Sequence, residues 1–203
     1  MNLNNYKIKT AISSVLLLLL FSSPAFAHAS AESLKGGFLS GFFHPISGLD
    51  HVVAMVAVGL WGAFLGKPAI WILPVVFPLV MAFGGALGVV GVPIPYIETG
   101  IALSGVVLGL VVLFAVRPPI WIAAVIVGAF AIFHGHAHGT ELPNATNPLV
   151  FSIGFVISTG LLHLAGIAIG ELKRIAWGEW IVRAGGAIIA LIGFGFLTHM
   201  ISV

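Results

Sequence analysis

Ala69-Ile70-Trp71-Ile72-Leu73-Pro74-Val75-Val76-Phe77-Pro78-Leu79-Val80-Met81-Ala82-Phe83-Gly84-Gly85-Ala86-Leu87-Gly88-Val89-Val90 runs for 22 residues without a charged or amide side chain. As a helix it would be about 33 Å long, enough to cross the hydrocarbon of a bilayer. Comparable apolar runs recur on both sides of it. The 203-residue chain is 60% hydrophobic and 7% charged, with a mean hydropathy of +1.18. Soluble domains carry roughly 25% charged residues, and a water-facing surface cannot be built from so few. The expected fold is therefore an all-α membrane protein, its partner the membrane lipid.

The segment ahead of the runs reads differently. Lys7 and Lys9 precede an apolar stretch, Ala11 to Phe21. Ser22-Ser23-Pro24-Ala25-Phe26-Ala27 then places small residues at −3 and −1. This is the layout of a cleavable signal peptide over residues 1–27. Residues 28–203 are expected to form a single six-helix transmembrane domain. The helices are read at Gly48–Gly66, Ala69–Val90, Ile97–Val116, Ile120–Phe133, Leu149–Gly170 and Trp177–Ile201. The fourth is short as written and is expected to include Pro118-Pro119 and the histidine-rich stretch after it.

Charge sets the expected direction. With the mature N-terminus outside, Lys67, Arg117, Lys173 and Arg174 fall in inner loops and only Lys35 outside. This matches the cytoplasmic excess of positive charge in membrane proteins. The reading is an inner-membrane protein of a bacterium with a periplasmic N-terminus. The sequence pI of 9.2 is no nucleic-acid signal. Without Lys7 and Lys9, Lys plus Arg drops from 8 to 6 and equals the 6 Asp plus Glu. No basic patch remains to hold phosphates, so no nucleic-acid partner is expected.

Cysteine is absent, which removes disulfides, thiolate metal sites and Cys nucleophiles. Histidine is concentrated instead. His44-Pro45-Ile46-Ser47-Gly48-Leu49-Asp50-His51 puts two imidazoles and a carboxylate at the mouth of the first span. On a straight helix His44 and His51 would share a face about 10 Å apart. Pro45 and Gly48 point to a bend that brings His44 back toward Asp50 and His51. A competing structural role exists for one residue: Ser47-x-x-Asp50 resembles a capping box, with Ser47 as N-cap.

Phe133-His134-Gly135-His136-Ala137-His138-Gly139-Thr140-Glu141 is the second cluster. On a helix His134 and His138 share a face at i, i+4, the spacing by which two histidines grip one metal. Glu141 continues that face and His136 points elsewhere. Gly135 and Gly139 would loosen such a helix. The alternative is a solvated outer loop with incidental histidines. His163 is the one ionisable group in the middle of the fifth span, where such groups usually mark a site or pathway. Glu98 opens the third span. Glu171 sits beside Lys173 and Arg174, where a salt bridge is the simpler reading. His28, as the mature N-terminus, would pair an α-amine with an imidazole. Glycines at Gly84-Gly85-x-x-Gly88 and Gly105-x-x-x-Gly109 fit close helix packing.

His44-x5-Asp50-His51, with Pro45, Ser47-Gly48-Leu49 and Met55, resembles the HupE/UreJ family of nickel and cobalt permeases. Phe133-His134-Gly135-x-Ala137-His138-Gly139-x-Glu141 and Leu162-His163-Leu164-x-Gly166 carry the same resemblance. It covers essentially the whole mature chain. The resemblance implies secondary uptake of Ni²⁺ or Co²⁺, with His44, Asp50, His51, His134, His138 and Glu141 as motif residues. His136 falls at a variable position of the pattern. The substrate is then a divalent ion; Zn²⁺ suits the same ligands, and no permanently bound cofactor is expected. Ligands must be deprotonated, so capture should weaken below about pH 6.

Two other classes compete. One is an intramembrane zinc enzyme on His134, His138 and Glu141, which lacks a His-Glu-x-x-His motif with its interposed base. The other is a haem-binding redox protein with axial histidines. Neither an enzyme nor a fixed oligomer is required by the residues; a homo-oligomer is compatible with them.

Overall fold

A computed structural model describes residues 31–140 and 147–201, and among these every regular element is helical. The elements are α1 (Ala31–Ser47), α2 (Leu49–Leu65), α3 (Ala69–Val89), α4 (Ile97–Leu113), α5 (Ile120–Thr140), α6 (Pro148–Gly170) and α7 (Gly178–Ile201), with a short 3₁₀ turn at Glu171–Arg174. The predicted signal peptide, His28 and Glu141 lie outside the described residues.

The central helix is α2. From Val53 to Phe64 every residue but Val56 is buried, and α2 contacts α1, α3, α4, α6 and α7. The closest pairs around it are α3 with α5, α4 with α7, and α6 with both α1 and α2. The outside of the bundle is apolar: Leu79, Phe83, Val125, Leu164, Ile188 and Leu191 are all at least half exposed. An apolar exterior around an apolar interior suits lipid as the solvent.

Four helical segments are long and apolar enough to cross a membrane: Ala69–Val89, Ile120–Thr140, Pro148–Arg174 and Gly178–Thr198. The pair α1–α2 passes only when joined across an 80° break, and α4 is apolar but 17 residues long. By length and composition this is an integral membrane protein with four or five candidate spans among the described residues.

The predicted boundaries shift at two places. α4 stops at Leu113, short of the expected Val116, where Ala115 takes φ +54° and Pro118-Pro119 follow. Those prolines precede α5 rather than joining it, and the Pro119 carbonyl accepts from Ile122 and Ala123 (3.0 and 3.3 Å) as the helix starts. The expected extension through the histidine-rich stretch is present: α5 runs seven residues past Phe133, to Thr140.

The bend expected at Pro45 and Gly48 is present. Gly48 has extended backbone (φ −97°, ψ 116°) and caps α2 without any side-chain hydrogen bond. The capping-box alternative is not realised. Ser47 Oγ donates back to the Phe43 carbonyl at 2.8 Å, and the Asp50 carboxylate turns to His51 instead.

The glycines within the histidine stretch do not loosen α5. A Cβ on Gly135 would stand 1.9 Å from the Met81 carbonyl oxygen, and one on Gly139 would stand 2.1 Å from that of Gly85. They let α5 and α3 touch backbone to backbone, the use that small residues have between membrane helices. This contact sets the rotation of α5 and so the direction of its histidines.

Connections alternate between two ends. At one end Trp71, Trp121, Trp177 and Trp180 are exposed at the starts of α3, α5 and α7. Lys67, Arg117, Lys173, Arg174 and Arg183 gather there too. We call this the tryptophan end. The other, where α2 begins and α5 finishes, is the histidine end.

Candidate metal site

Three helices supply the cluster at the histidine end. The 80° break between α1 and α2 returns His44 toward His51, while α5 presents His134 and His138 one turn apart. His44 Nε2 lies 3.0 Å from His138 Nδ1. Ring centres are 4.8 Å apart for His44 and His138, 4.5 Å for His51 and His138, and 4.8 Å for His51 and His134. His138 is thus the hinge between the residue before the break and the residue after it. Two imidazoles bound to one ion at the usual metal–nitrogen length have ring centres roughly 4.5–5.2 Å apart, depending on whether the bond angle is octahedral or tetrahedral. The observed spacings fit that range.

The protonation pattern can be read from the partners. Asp50 Oδ1 lies 3.0 Å from His51 Nδ1. A carboxylate accepts, so His51 Nδ1 carries the proton and Nε2 the lone pair. His51 Nε2 is buried without a hydrogen-bond partner, as are His134 Nδ1 and His138 Nε2. Three bare ring nitrogens are therefore held in one small region. Among the described residues no three of these side chains already enclose a single ion position. The His44–His138 contact is a hydrogen bond, and two nitrogens on a tetrahedral ion stand about 3.3 Å apart.

Aromatic rings wall the cluster. Phe155 stands 4.5 Å from His138, and Phe151 5.7 Å from His44. A cavity of about 100 Å³ between α3, α5 and α6 reaches His138 and is lined by Met81, Gly139, Phe151 and Phe155. Phe77 of α3 lies 5.7 Å from His134 on one side and 5.4 Å from His163 on the other.

The structure thus brings together His44, Asp50, His51, His134 and His138, and sets His163 one ring further in. His163 is buried with both nitrogens unpartnered, on the helix that also carries the buried, unpartnered hydroxyls of Ser158 and Thr159. The outer-loop alternative for His134–His138 does not hold: all three are buried on a helix. His136 points away, as its place on the helix implies. Its Nε2 donates to the Val92 carbonyl at 2.7 Å and ties α5 to the α3–α4 connection. Glu98 is exposed. Glu171 pairs with Arg174 as expected.

One residue was missed by the sequence reading. Ser104 of α4 is fully buried, 2.9 Å from His134 Nε2. Its signal was present, as the one hydroxyl between Ile101 and Val116, but it stands in a glycine-rich packing stretch that attracted another explanation.

Fold and site together define an integral membrane helical bundle with a buried imidazole–carboxylate cluster near one end. The HupE/UreJ protein family model matches residues 16–196. The chain is 44% identical to Protein HupE of Rhizobium leguminosarum bv. viciae over 191 residues, covering 94% of this chain and 97% of that protein. The chain belongs to the HupE/UreJ family. No solved structure matches it.

Proposed function

We propose that the protein is a secondary permease that takes up Ni²⁺ or Co²⁺, and not an enzyme. One observation carries this reading. His51 and the pair His134/His138 come from two helices and meet with bare, buried nitrogens, at ring spacings that suit a shared divalent ion, and His44 of α1 reaches the same cluster through its 3.0 Å contact with His138. Buried polar groups are ordinarily satisfied within a protein, and an ion would satisfy these.

In this reading His51, His134 and His138 are the inner ligands and His44 closes the set from α1. Asp50 acts through His51, holding its ring and making it a stronger donor, as carboxylates do behind metal-bound histidines. Glu141 is assigned to the site on the family motif alone. His28 is a capture ligand ahead of it. The cavity at His138 is the approach, and His163, behind Phe77, is the next station inward.

Six crossings require α4 and the bent α1–α2 pair to span along with the four long helices. The histidine end then faces the periplasm of a bacterial inner membrane, and the Trp, Lys and Arg residues lie at the cytoplasmic interface. A doubly charged ion moving inward gains about 4.6 kcal/mol per 100 mV, twice the single-charge figure. The potential alone can drive accumulation. Imidazole and carboxylate do not by themselves rank Ni²⁺ above Co²⁺ or Zn²⁺, so selection rests on geometry and supply.

The test is accumulation of radiolabelled nickel and cobalt in cells expressing the wild type, His51→Ala or His134→Ala at matched membrane levels. Both variants should lose uptake. Unchanged accumulation in either would remove that residue from the site, and no accumulation by the wild type would end the permease reading.

A further inference from the structure

Ser104 lies on α4, across from α5, and its hydroxyl has two neighbours. One is the carbonyl oxygen of Ile101, three residues back on its own helix, at 2.6 Å. The other is His134 Nε2 at 2.9 Å. A hydroxyl has one proton and two lone pairs, whereas a carbonyl oxygen can only accept. The Ser104 proton therefore goes to Ile101, and Ser104 Oγ must accept at the second contact. His134 Nε2 then carries the ring proton, which leaves the lone pair on Nδ1. That nitrogen is buried and has no partner.

From this geometry we infer that Ser104 is a positioning residue for the ion: it locks His134 in the Nε2–H tautomer and so presents Nδ1 as the ligand atom. The inference deepens the permease reading and rests on it for the identity of the ion. It gives His134 the counterpart of what Asp50 gives His51, with the ring reversed. At His51 the acceptor holds Nδ1–H and Nε2 is bare; at His134 the acceptor holds Nε2–H and Nδ1 is bare. An ion between the two rings, whose centres are 4.8 Å apart, would meet opposite nitrogens of its two ligands. Outer partners of metal-bound histidines set tautomer and ring orientation, and their loss typically weakens metal binding 10- to 100-fold.

The experiment uses the full chain in lipid or detergent, with ¹⁵N in the histidine rings and no metal added. The His134 signals are identified by their loss in His134→Gln. The wild type should show a protonated Nε2 and a bare Nδ1. Ser104→Ala should release the ring into a mixture of tautomers, while Ser104→Thr, which keeps the hydroxyl, should restore the single form. A wild-type His134 protonated at Nδ1, or signals unmoved in Ser104→Ala, would overturn the inference with no reference to transport.

The same samples are then titrated with Co²⁺ and followed by its visible absorption. Ser104→Ala should bind about 10- to 100-fold more weakly than wild type, and Ser104→Thr close to wild type. An altered tautomer with unaltered Co²⁺ affinity would overturn the positioning role and leave the permease reading intact. A wild type with the expected tautomer and no Co²⁺ binding would overturn the metal reading itself.

Discussion

The two ends of the bundle treat polar groups in opposite ways. At the tryptophan end three polar side chains finish a piece of backbone. Lys173 Nζ donates to the carbonyls of Ala63 and Phe64, where α2 runs out of helical partners. Arg183 Nε does the same for Leu113 at the close of α4 (2.8 Å), and Trp61 Nε1 donates to Val116 at 3.0 Å. The carbonyls of Ala63, Phe64 and Leu113 are the unpaired ones that a helix C-terminus leaves, met by cations where the helix dipole favours them. At the histidine end polar groups are more deeply buried and less satisfied. His51, His134 and His138 each keep one nitrogen without a partner. His136 also keeps Nδ1 without a partner while its Nε2 donates to Val92, so incomplete pairing of buried imidazoles marks this end as a whole.

That contrast can be broken in order of expected effect. His138→Ala removes the ring that touches both His44 and His51, so uptake should fall at least about tenfold with the protein still folded. Uptake per molecule near wild type would show that the cluster is another structural site. Gly135→Ala should act through shape alone. Its methyl group would press on the Met81 carbonyl, forcing α3 from α5 at a cost of about 1–3 kcal/mol. A thermal unfolding series in detergent measures this, and an unshifted transition would mean that the two helices slide freely. Lys173→Met, at the opposite end, should lower stability by about 1 kcal/mol and leave uptake per folded molecule unchanged. Loss of uptake there would erase the distinction between the ends. Smallest is His136→Gln, which can still donate toward Val92 and should change both uptake and stability little. A large uptake defect would move His136 into the site.

Local patterns made much of the fold legible. The apolar run from Leu149 located α6 to within a residue; the Asn147 cap, which accepts from Leu149 and Val150 (3.1 and 3.3 Å), was an N-cap signal the reading did not use. Pro45 and Gly48 signalled the break that makes the site. Gly135 and Gly139 were misjudged because glycine's helix penalty is a local property, while its value in a close contact depends on what faces it. Ser104 was passed over for the same reason, since its role exists only through His134, thirty residues away.

Readable from the order of amino acids alone is whatever depends on neighbours a few residues apart. Long uncharged runs require lipid, i, i+4 spacing puts His134 and His138 on one face, and proline with glycine bends the chain before Asp50. The packed fold was needed to show which nitrogens are bare, that Asp50 turns to its neighbour His51 rather than capping α2, and that His136 Nε2 donates to the Val92 carbonyl. Apart from the Asp50–His51 pair, those outcomes turn on contacts between segments far apart in the chain, such as His44 with His138 and Ser104 with His134. They are set by how the helices pack, which no single segment encodes.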